Sequence, residues 1–250
     1  MKALILCAGY ATRLYPLTKD QPKHLLPIAG KPMLSYAIEQ LDKSPEITGI
    51  YLVTNKKFYG NFKSWISNLK LSKPIEVFND GTDSDETKLG AIGDMKFVLH
   101  NAKINDDLFV MAGDNLTELK IQEFIDFFKK MKCVIAVRDV KDKELIKKYS
   151  EVKVDQSKKV LEFIEKPQNP VTTLAAICMY IFPKEELSFI DKYIKAGNNP
   201  DQPGRYIQWL AKERNVYAYV FDEPWFDIGD IHQLNEADEF YKRRVKGLKG

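Results

Sequence analysis

The segment that decides the fold, residues 2–17, reads KALILCAGYATRLYPL and joins an apolar strand to a loop of small residues. In residues 2–7, Lys2 is followed by five apolar residues, which is typical of a strand that is buried on both faces. Ala8 and Gly9 follow at once, and small residues at a strand exit let backbone N–H groups approach a phosphate closely. Arg13 can supply the countercharge. On these residues alone, a tight strand-to-helix turn with a surface cation is an equally good interpretation.

Outward from this segment, apolar runs alternate with amphipathic stretches through the first half of the chain. The pattern predicts strands over residues 2–7, 47–54, 75–78, 108–112 and 133–140, and helices over residues 32–43, 57–69, 87–100 and 121–131. Strands that alternate with helices are typical of a parallel sheet covered on both faces. We therefore predict an α/β fold with a Rossmann-like, mostly parallel sheet flanked by helices.

The second half has a different pattern. Three strands with short connections, residues 151–155, 160–165 and 174–182, predict a small antiparallel addition to the sheet. Helices over residues 185–195 and 205–214, a strand over 216–221 and a helix over 231–245 follow. The sequence contains no internal repeat and no low-complexity linker, so we predict one domain over residues 1–250.

Composition excludes several classes of protein. With 250 residues, 44% of them hydrophobic, the chain can bury one large core. The net charge is +3 and cations are interleaved with acids except in residues 241–250, which we interpret as the solvated end of a helix, so no nucleic-acid partner is expected. No apolar segment reaches the ~20 residues that cross a bilayer. Three cysteines in separate apolar runs predict buried thiols in a reducing compartment, so we expect a cytoplasmic protein with no membrane partner.

Carboxylates follow two of the predicted strands. Asp114 comes directly after the strand over residues 108–112, and Asp227 lies between large aromatic residues in a segment that ends with Asp230. Because ligands gather at the carboxyl ends of parallel strands, both positions are candidates for a ligand-binding site. A carboxylate at such a position must be hydrated, cap a helix or bind a cation. A plain helix cap remains the alternative for Asp114.

The opening segment resembles the first motif of the sugar-phosphate nucleotidyltransferases, a family that includes glucose-1-phosphate thymidylyltransferase. That motif runs Leu-x-Ala-Gly-x-Gly-Thr-Arg-Leu-x-Pro-Leu-Thr, followed by Pro-Lys-x-Leu-Leu-Pro-Ile and Lys-Pro-Met. This chain matches it almost throughout residues 6–33, except that Ala11 replaces the second glycine. The resemblance extends to about residue 230. Because the sequence contains no run of hexapeptide repeats, we expect a short form of the family that lacks a C-terminal β-helix.

The resemblance implies roles for the nucleotide side of the site. Ala8 and Gly9 would contact the nucleotide through the backbone, while Arg13 and Lys23 would bind its phosphates. The family also implies that Asn79 and Gly90 lie against the nucleobase, and that Asp114 and Asp227 together bind Mg²⁺. Where the family commonly has threonine this chain has Asp230, which either adds negative charge near the metal or caps the final helix; we favour the cap.

The resemblance also implies an acceptor pocket. Glu165 would accept hydrogen bonds from sugar hydroxyls, Lys166 would hold the sugar phosphate, and Ser150 and Tyr180 would line the pocket. Ser150 and Cys178 each replace a family glycine, which suggests a substrate other than the commonest hexose phosphate. In this interpretation residues 1–115 form the nucleotide-binding half and residues 116–230 the sugar-phosphate-binding half.

The family implies a Mg²⁺-dependent reaction between an NTP and a sugar 1-phosphate or similar phosphate ester. The acceptor phosphate attacks the α-phosphorus and pyrophosphate leaves. A phosphate monoester has a second pKa near ~6, so its oxygen is already ionised and needs no general base. Charge neutralisation would then be the catalytic task, shared by Arg13, Lys23, Asp114 and Lys166.

Three alternatives remain open from the sequence. The chain could be a non-catalytic sensor of nucleotide or sugar phosphate on the same fold, a glycosyltransferase with a related sheet, or a cytidylyltransferase for an ester such as phosphocholine. The sequence does not decide which nucleobase or which acceptor is used. It also leaves open whether the protein is a monomer or a homo-oligomer.

Overall fold

A nine-stranded sheet forms the centre of the computed structural model, which describes residues 1–247. The first half of the chain contains, in order, β1 (Lys2–Leu6), β2 (Pro27–Ile28), β3 (Lys31–Pro32), α1 (Met33–Lys43), β4 (Ile50–Thr54), α2 (Tyr59–Ser67), β5 (Ile75–Asn79), α3 (Ala91–Asn101), β6 (Leu108–Ala112), β7 (Asn115–Thr117) and α4 (Ile121–Met131). The second half contains β8 (Val134–Asp139), α5 (Lys143–Ile146), β9 (Ser150–Val154), β10 (Val160–Glu165), β11 (Leu174–Phe182), α6 (Ser188–Lys195), α7 (Pro203–Glu213), β12 (Tyr217–Phe221), β13 (Trp225–Asp227) and α8 (Ile231–Val245).

The sheet has a parallel part and an antiparallel part. β1 pairs in parallel with β4 and β6, and β4 pairs in parallel with β5. β11 is antiparallel to β6, β8 and β9, and β9 is antiparallel to β10. The predicted α/β fold, a mostly parallel sheet with an antiparallel addition, is confirmed.

β11 joins the two parts of the sheet and leaves a gap. β8 pairs along both halves of β11, so β6 and β9 must share the other edge. The last residue of β6 that pairs with β11 is Met111, opposite Met179, and β9 begins opposite Ala176. Ile177 and Cys178 therefore face an opening in the sheet, directly beside the carboxyl end of β6.

Two apolar cores cover the two faces of the sheet. Ala3 and Ile5 of β1 point into a core with residues of α1 and α4, whereas Leu4 and Leu6 point into a core with residues of α3, α6 and α7. This alternation follows from the two-residue period of a strand. After Lys2, every residue of the central strand β1 is therefore apolar and buried, and the carboxyl end of β1 leads into the opening loop.

A third, smaller core fixes the opening loop to the end of the chain. It contains residues of the loop, β7 and α8, namely Leu14, Leu26, Ile28, Met33, Leu116, Ile228, Leu234, Ala237 and Tyr241. Because these side chains are nearly inaccessible to solvent, the loop after β1 and the segment after β13 are held together although they are far apart in sequence. This core positions the site described below.

Several predicted boundaries were wrong. α3 begins at Ala91 rather than residue 87, because residues 80–90 form turns that end at Gly90, whose φ is +77°. α6 begins at Ser188, after a 3-10 turn over Lys184–Glu186. The short strands β2, β3, β7 and β13 and the helix α5 were not predicted, since two to four residues carry no periodicity.

The cysteines and the chain end bear on the remaining predictions. All three cysteines are free; Cys7 and Cys133 are buried and Cys178 is half-buried. Basic residues occupy the last turn of α8, as predicted, whereas residues 248–250 of that basic stretch lie outside the described part of the chain. Within residues 1–247, none of the helices combines the length and apolar character needed to span a bilayer.

Candidate active site

The loop after β1 is held in shape by side chains of the neighbouring strand. Asn55 Nδ2 donates to the carbonyl of Ala8 at 2.8 Å, and Thr54 Oγ1 donates to the carbonyl of Cys7 at 3.2 Å. Gly9 follows in an exposed position where a Cβ would meet no heavy atom within 4 Å. Ala11 adopts left-handed backbone angles, φ 51° and ψ 44°. The family glycine at this position is thus explained by the conformation that the loop requires.

Two short strands bring Asp114 and Asp227 together. β7 pairs with β13 so that Asn115 lies opposite Asp227, and the backbone N–H of Ile228 donates to the carbonyl of Asp114 at 3.3 Å. Trp225 Nε1 donates to Asn115 Oδ1 at 2.9 Å and fixes the pairing. The two carboxylates predicted to share a cation therefore occupy adjacent positions, despite their separation in sequence.

Gly113 allows the turn that presents Asp114. A Cβ on Gly113 would overlap Cys7 Sγ and would lie 2.9 Å from His24 Cδ2. Its N–H donates to the carbonyl of Leu6 at 2.9 Å, so the end of β6 stays tight against β1. Only glycine fits there without displacing buried groups.

Lys23 connects the acid pair to the opening loop. Its ammonium donates to Asp114 Oδ2 and also to the carbonyl of Ile228 at 3.2 Å. The lysine side chain is only 12% exposed and that of Asp114 22%, so this ion pair is partly shielded from water. The sequence predicts Lys23 on the nucleotide phosphates; that role stays a prediction.

The charges in the cleft act on one another. Burial raises the pKa of Asp227 to about 6 and the charge of Asp114 adds to this rise, while Lys23, Arg13 and Lys166 oppose it. Burial acts in the same direction on Asp114, but Lys23 holds the pKa of Asp114 below its ordinary value. Two acids and three cations predicted from the sequence therefore share one electrostatic environment.

Arg13 lies against the segment after β13. Its guanidinium nitrogens are 3.3 and 3.6 Å from the position that a Cβ on Gly229 would take. The N–H of Gly229 donates to Gln233 Oε1 at 2.9 Å, and Asp230 Oδ1 accepts from the N–H of Gln233 at 2.9 Å. The predicted cap at Asp230 is confirmed, and the cap also orders the backbone beside Arg13.

The two residues predicted to read the nucleobase lie at the same edge of the sheet. Asn79 ends β5, and its Oδ1 accepts from the N–H of Gly81 at 2.9 Å. Gly90 precedes α3, and a Cβ there would lie 2.5 Å from the Cα of Asp201. Asn79 thus uses one of its acceptors locally and keeps its amide donor. Their contact with a base stays a prediction.

A cavity of about 290 Å³ opens between the two halves of the site. It is bordered by the gap in the sheet beside β11 and by both carboxylates. The lining residues come from β1, α3, β6, β7, β11, α7 and β13 and the loops beside them: Leu6, Ala91, Ala112, Asp114, Asn115, Tyr149, Ala176, Ile177, Cys178, Pro203, Trp225 and Asp227. The division of this region into a nucleotide side and an acceptor side stays a prediction.

The acceptor side is built around the end of β10. Ser150 Oγ donates to Glu165 Oε2 across the β9–β10 pair. Lys166 has left-handed backbone angles, φ 46°, and its N–H donates to the carbonyl of Tyr149 at 3.0 Å. The Tyr149 ring packs on Trp225 with centroids 4.9 Å apart, which links this corner to the strand that carries Asp227.

Tyr180 is placed differently from the other predicted acceptor residues. It is 2% exposed and packs against Phe182 inside the core on the α3 side. Burial raises the pKa of Tyr180, with further contributions from Cys178 and Glu165, so its hydroxyl lies near the acceptor corner but beneath its surface. A contact with substrate stays a prediction.

The donor set at the acid pair fits Mg²⁺. Asp114 and Asp227 offer hard carboxylate oxygens, and Mg²⁺ prefers one or two carboxylates with water and substrate phosphate oxygens. Among residues 1–247 no three His, Cys, Asp or Glu side chains form a closed metal cluster. Burial and then Lys23 lower the pKa of the nearby His24 to about 3, so this imidazole is neutral and is no candidate for a general acid or base at neutral pH.

Sequence reasoning missed three residues that shape the site. Asn55 follows β4, so the rule that points to strand ends could have found it. Gln233 stands three positions after Asp230, the spacing of a capping box. Gly204 is the second residue of α7 and packs against Ser150 and Glu165. No feature of the sequence indicates that Gly204 belongs to the site.

Comparison with known proteins identifies the family. The profile of the nucleotidyl transferase family matches residues 2–244. The chain belongs to the nucleotidyl transferase family. The resemblance seen in residues 6–33 is thereby confirmed.

Relatives of this nucleotidyl transferase include longer archaeal proteins. The bifunctional protein GlmU of Methanocaldococcus jannaschii is 30% identical over 251 residues, which cover 100% of this chain and 57% of that protein. A bifunctional sugar-1-phosphate nucleotidylyltransferase/acetyltransferase of Sulfurisphaera tokodaii is 27% identical over 96% of this chain and 55% of that protein. The chain spans little more than half the length of these relatives.

Solved structures agree on the fold. UDP-glucose pyrophosphorylase in complex with UDP-glucose superposes with a TM-score of 0.81, at 20% identity, over 97% of this chain and 98% of that one. At this identity the likeness concerns the architecture alone. The roles of individual residues in this nucleotidyl transferase follow from the geometry and are proposed below.

Proposed function

We propose that this chain transfers a nucleoside monophosphate from an NTP to a sugar 1-phosphate or a similar phosphate ester and releases pyrophosphate. The observation that carries the proposal is the pairing of β7 with β13, which sets Asp114 beside Asp227 with Lys23 bound to Asp114 and to the Ile228 carbonyl. Such a cluster of acids and cations in one cleft suits the binding of two phosphorylated anions and one divalent cation.

The reaction requires no acid–base residue for the attacking group. An acceptor phosphate oxygen, already ionised at neutral pH, forms a bond to the α-phosphorus as the bond to the β-phosphate oxygen breaks. His24 is buried and neutral, and its pKa is affected by that burial and by the charges of Lys23 and Asp114. Catalysis in this proposal rests on holding two anions in line and on neutralising their charge.

Each charged residue has a proposed task. Asp114 and Asp227 would hold Mg²⁺, which when bound neutralises charge on the phosphate oxygens. Arg13 would bind the triphosphate, and Lys166 the acceptor phosphate. Lys23 would orient Asp114 and contribute positive charge beside the phosphates, since its ammonium already bridges the loop and the acid pair.

The remaining predicted residues divide between the two substrates. The backbones of Ala8 and Gly9 would contact the nucleotide phosphates, with Asn79 and Gly90 at the base. Ser150, Glu165 and Tyr180 would form the acceptor corner, with residues 1–115 and 116–230 as the two substrate-binding halves. We place the reaction in the cytoplasm, on the ground that all three cysteines are free thiols.

A substrate matrix tests this proposal. Four NTPs are combined with a panel of phosphate esters, several hexose 1-phosphates and phosphocholine among them, and inorganic pyrophosphate is measured with and without Mg²⁺. The proposal predicts Mg²⁺-dependent pyrophosphate release with at least one sugar 1-phosphate. Release with phosphocholine alone would favour the cytidylyltransferase, whereas NTP binding with no release for any ester would favour the sensor.

A further inference from the structure

Ser150 and Glu165 form a side-chain pair at the acceptor corner. Ser150 begins β9 and Glu165 ends β10, and the two residues lie opposite each other in the antiparallel register. Ser150 Oγ donates to Glu165 Oε2. In the part of the chain that the structure describes, this is the one side-chain hydrogen bond of Glu165, so Oε2 is engaged and Oε1 is left for other donors.

The first turn of α7 closes over the same oxygen. Gly204 is buried, and a Cβ there would overlap Glu165 Oε2 and lie 2.6 Å from Ser150 Oγ. α7 spans 11 residues and presents the positive end of its dipole near this carboxylate, which favours a negative charge. Oε2 is therefore enclosed by a serine hydroxyl and by a helix terminus that only glycine allows to approach.

The pair borders the cavity between the substrate sides. Ser150 lies opposite Ala176 of β11, and Ala176 lines the cavity together with Pro203, which precedes Gly204. Lys166, the proposed ligand of the acceptor phosphate, follows Glu165 directly and is tied to Tyr149 by its backbone. A sugar whose phosphate lies at Lys166 would present its hydroxyl groups to Glu165.

We propose that Ser150 determines acceptor specificity by acting through Glu165, an inference that rests on the proposed function. A carboxylate with two free oxygens can accept from two adjacent hydroxyls of a hexose at once. With Oε2 held by Ser150, Glu165 offers Oε1 alone. The pocket then gains little from a second adjacent hydroxyl, so it accepts a deoxy sugar 1-phosphate nearly as well as one with a vicinal diol. Ser150 is a positioning residue in this account.

Kinetics with deoxygenated acceptors test the inference. We would measure kcat and KM for glucose 1-phosphate and its 2-, 3- and 4-deoxy forms, at a saturating level of the preferred NTP, in the wild type, Ser150→Gly and Ser150→Ala. The wild type should prefer glucose 1-phosphate over each deoxy form by less than about threefold, and both variants should raise this preference about tenfold for at least one position. The KM for the NTP should stay within about twofold in all proteins.

Controls separate a specificity effect from loss of structure. Ser157→Ala removes an exposed serine hydroxyl from the turn between β9 and β10 and should leave all ratios unchanged. Ser150→Ala keeps the Cβ, so it serves if the glycine variant folds poorly. Unchanged ratios in both Ser150 variants would overturn the inference while pyrophosphate release upholds the proposed function. A wild type that releases no pyrophosphate with any pair of substrates would overturn both.

Discussion

The parallel region of the sheet (β1, β4, β5 and β6) and the antiparallel region (β8 to β11) differ in regularity. Every pair in the parallel region keeps one unbroken register. In the antiparallel region the register shifts between Val160 and Glu162 and again between Ala176 and Tyr180. Both irregular strands, β10 and β11, lead toward the acceptor corner. Of the departures from the family motifs, Cys178 lies on β11 and Ser150 begins β9, which pairs with both of these strands.

This difference in regularity bears on where each substrate of the proposed reaction would be recognised. In the proposed function, the loops at the strand ends of the parallel region contact the triphosphate, which is the same in every NTP. In the antiparallel region, the gap beside β11 leaves backbone groups of β11 without a strand partner. A side chain can bond such a group instead: Asn115 Nδ2 donates to the carbonyl of Cys178 at 3.1 Å. Ser150, which lies opposite Ala176, and Cys178 both lie beside this gap, so the two replaced family glycines fall where the proposed acceptor corner lies.

Asp114 stands where the two regions meet, so its replacement should have the largest effect. In Asp114→Asn we expect turnover to fall by about 10³-fold or more, because one metal ligand and one buried charge are lost while the shape is kept. Pyrophosphate release at saturating substrates measures the effect, and circular dichroism checks the fold. Asp222→Asn, an exposed carboxylate, is the matched control and should stay near wild type. Near-normal turnover of Asp114→Asn would remove this residue from the metal site.

Replacement of Lys166 should affect the acceptor and spare the nucleotide, and so it tests the proposed division between the two regions. Lys166→Ala should raise the KM for the acceptor about 10- to 100-fold, the value of a hydrogen bond to a charged group, and leave the KM for the NTP within about threefold. Alanine keeps the Cβ, so the left-handed backbone is no more strained than with lysine. Lys153→Ala, an exposed lysine of β9, provides the control. An unchanged acceptor KM would contradict the role given to Lys166.

The parallel region contains an acid pair that the proposed reaction does not use. Asp94 and Asp80 are 4% and 8% exposed, and among the described residues Asp94 Oδ1 and Asp80 Oδ2 have no hydrogen-bond partner. A proton on Asp94 would let it donate to Asp80. Burial, then Asp80 and more weakly Asp201, raise the pKa of Asp94 to about 8.

The raised pKa of Asp94 makes the protein less stable as the pH rises. An aspartate titrates near ~3.9 when unfolded, so the folded protein holds an extra proton and this contribution to stability is lost as the pH rises from about 4 to about 8. Asp94→Asn is permanently neutral and can still donate to Asp80. Urea unfolding between pH 5 and pH 8 should show its stability relative to wild type rising with pH, by up to ~1.4 kcal/mol per unit.

A control variant and one contradicting outcome complete the test of the shared proton between Asp94 and Asp80. Asp126→Asn, which replaces an exposed carboxylate whose pKa is lowered by its hydrogen bond with Lys129, should show no such rise. A constant difference between Asp94→Asn and the wild type across the same pH range would mean that the pair shares no proton.

Ala11 should give the smallest effect. Left-handed backbone costs an alanine about 1–2 kcal/mol, whereas glycine loses more entropy on folding, so Ala11→Gly should stabilise the protein by less than about 1 kcal/mol. Urea unfolding measures this. The same substitution in the helix interior, Ala37→Gly, should instead destabilise by about 1 kcal/mol. A loss of stability in Ala11→Gly would show that the methyl group contributes packing that outweighs the strain.

The strands of the parallel region, and the positions where they end, could be predicted from the sequence. β1, β4 and β6 are apolar runs between turn residues, and the resemblance located Arg13, Asp114 and Asp227, which the structure places in one cleft. Their roles in binding remain predictions. The approach of Asp114 to Asp227 follows from the family motif and not from any periodicity, because β7 and β13 have only three residues each.

The antiparallel region was less predictable for physical reasons. The gap beside β11 depends on where two separate strands stop along one edge, which no local pattern records. Gly204 looks like an ordinary residue of a helix N-terminus until the Glu165 carboxylate is placed against it. The Ser150–Glu165 hydrogen bond depends on the register between β9 and β10, which the turn over residues 155–158 sets.

Cation binding tests the central claim most directly, since it needs neither the correct base nor the correct acceptor. Mn²⁺, used as a paramagnetic probe in the presence of an NTP, would be titrated into the wild type, Asp114→Asn and Asp227→Asn and followed by electron paramagnetic resonance. The account predicts one protein-dependent ion per chain, with affinity at least about tenfold weaker in each variant. An affinity equal to that of wild type in either variant would contradict a site shared by these two carboxylates.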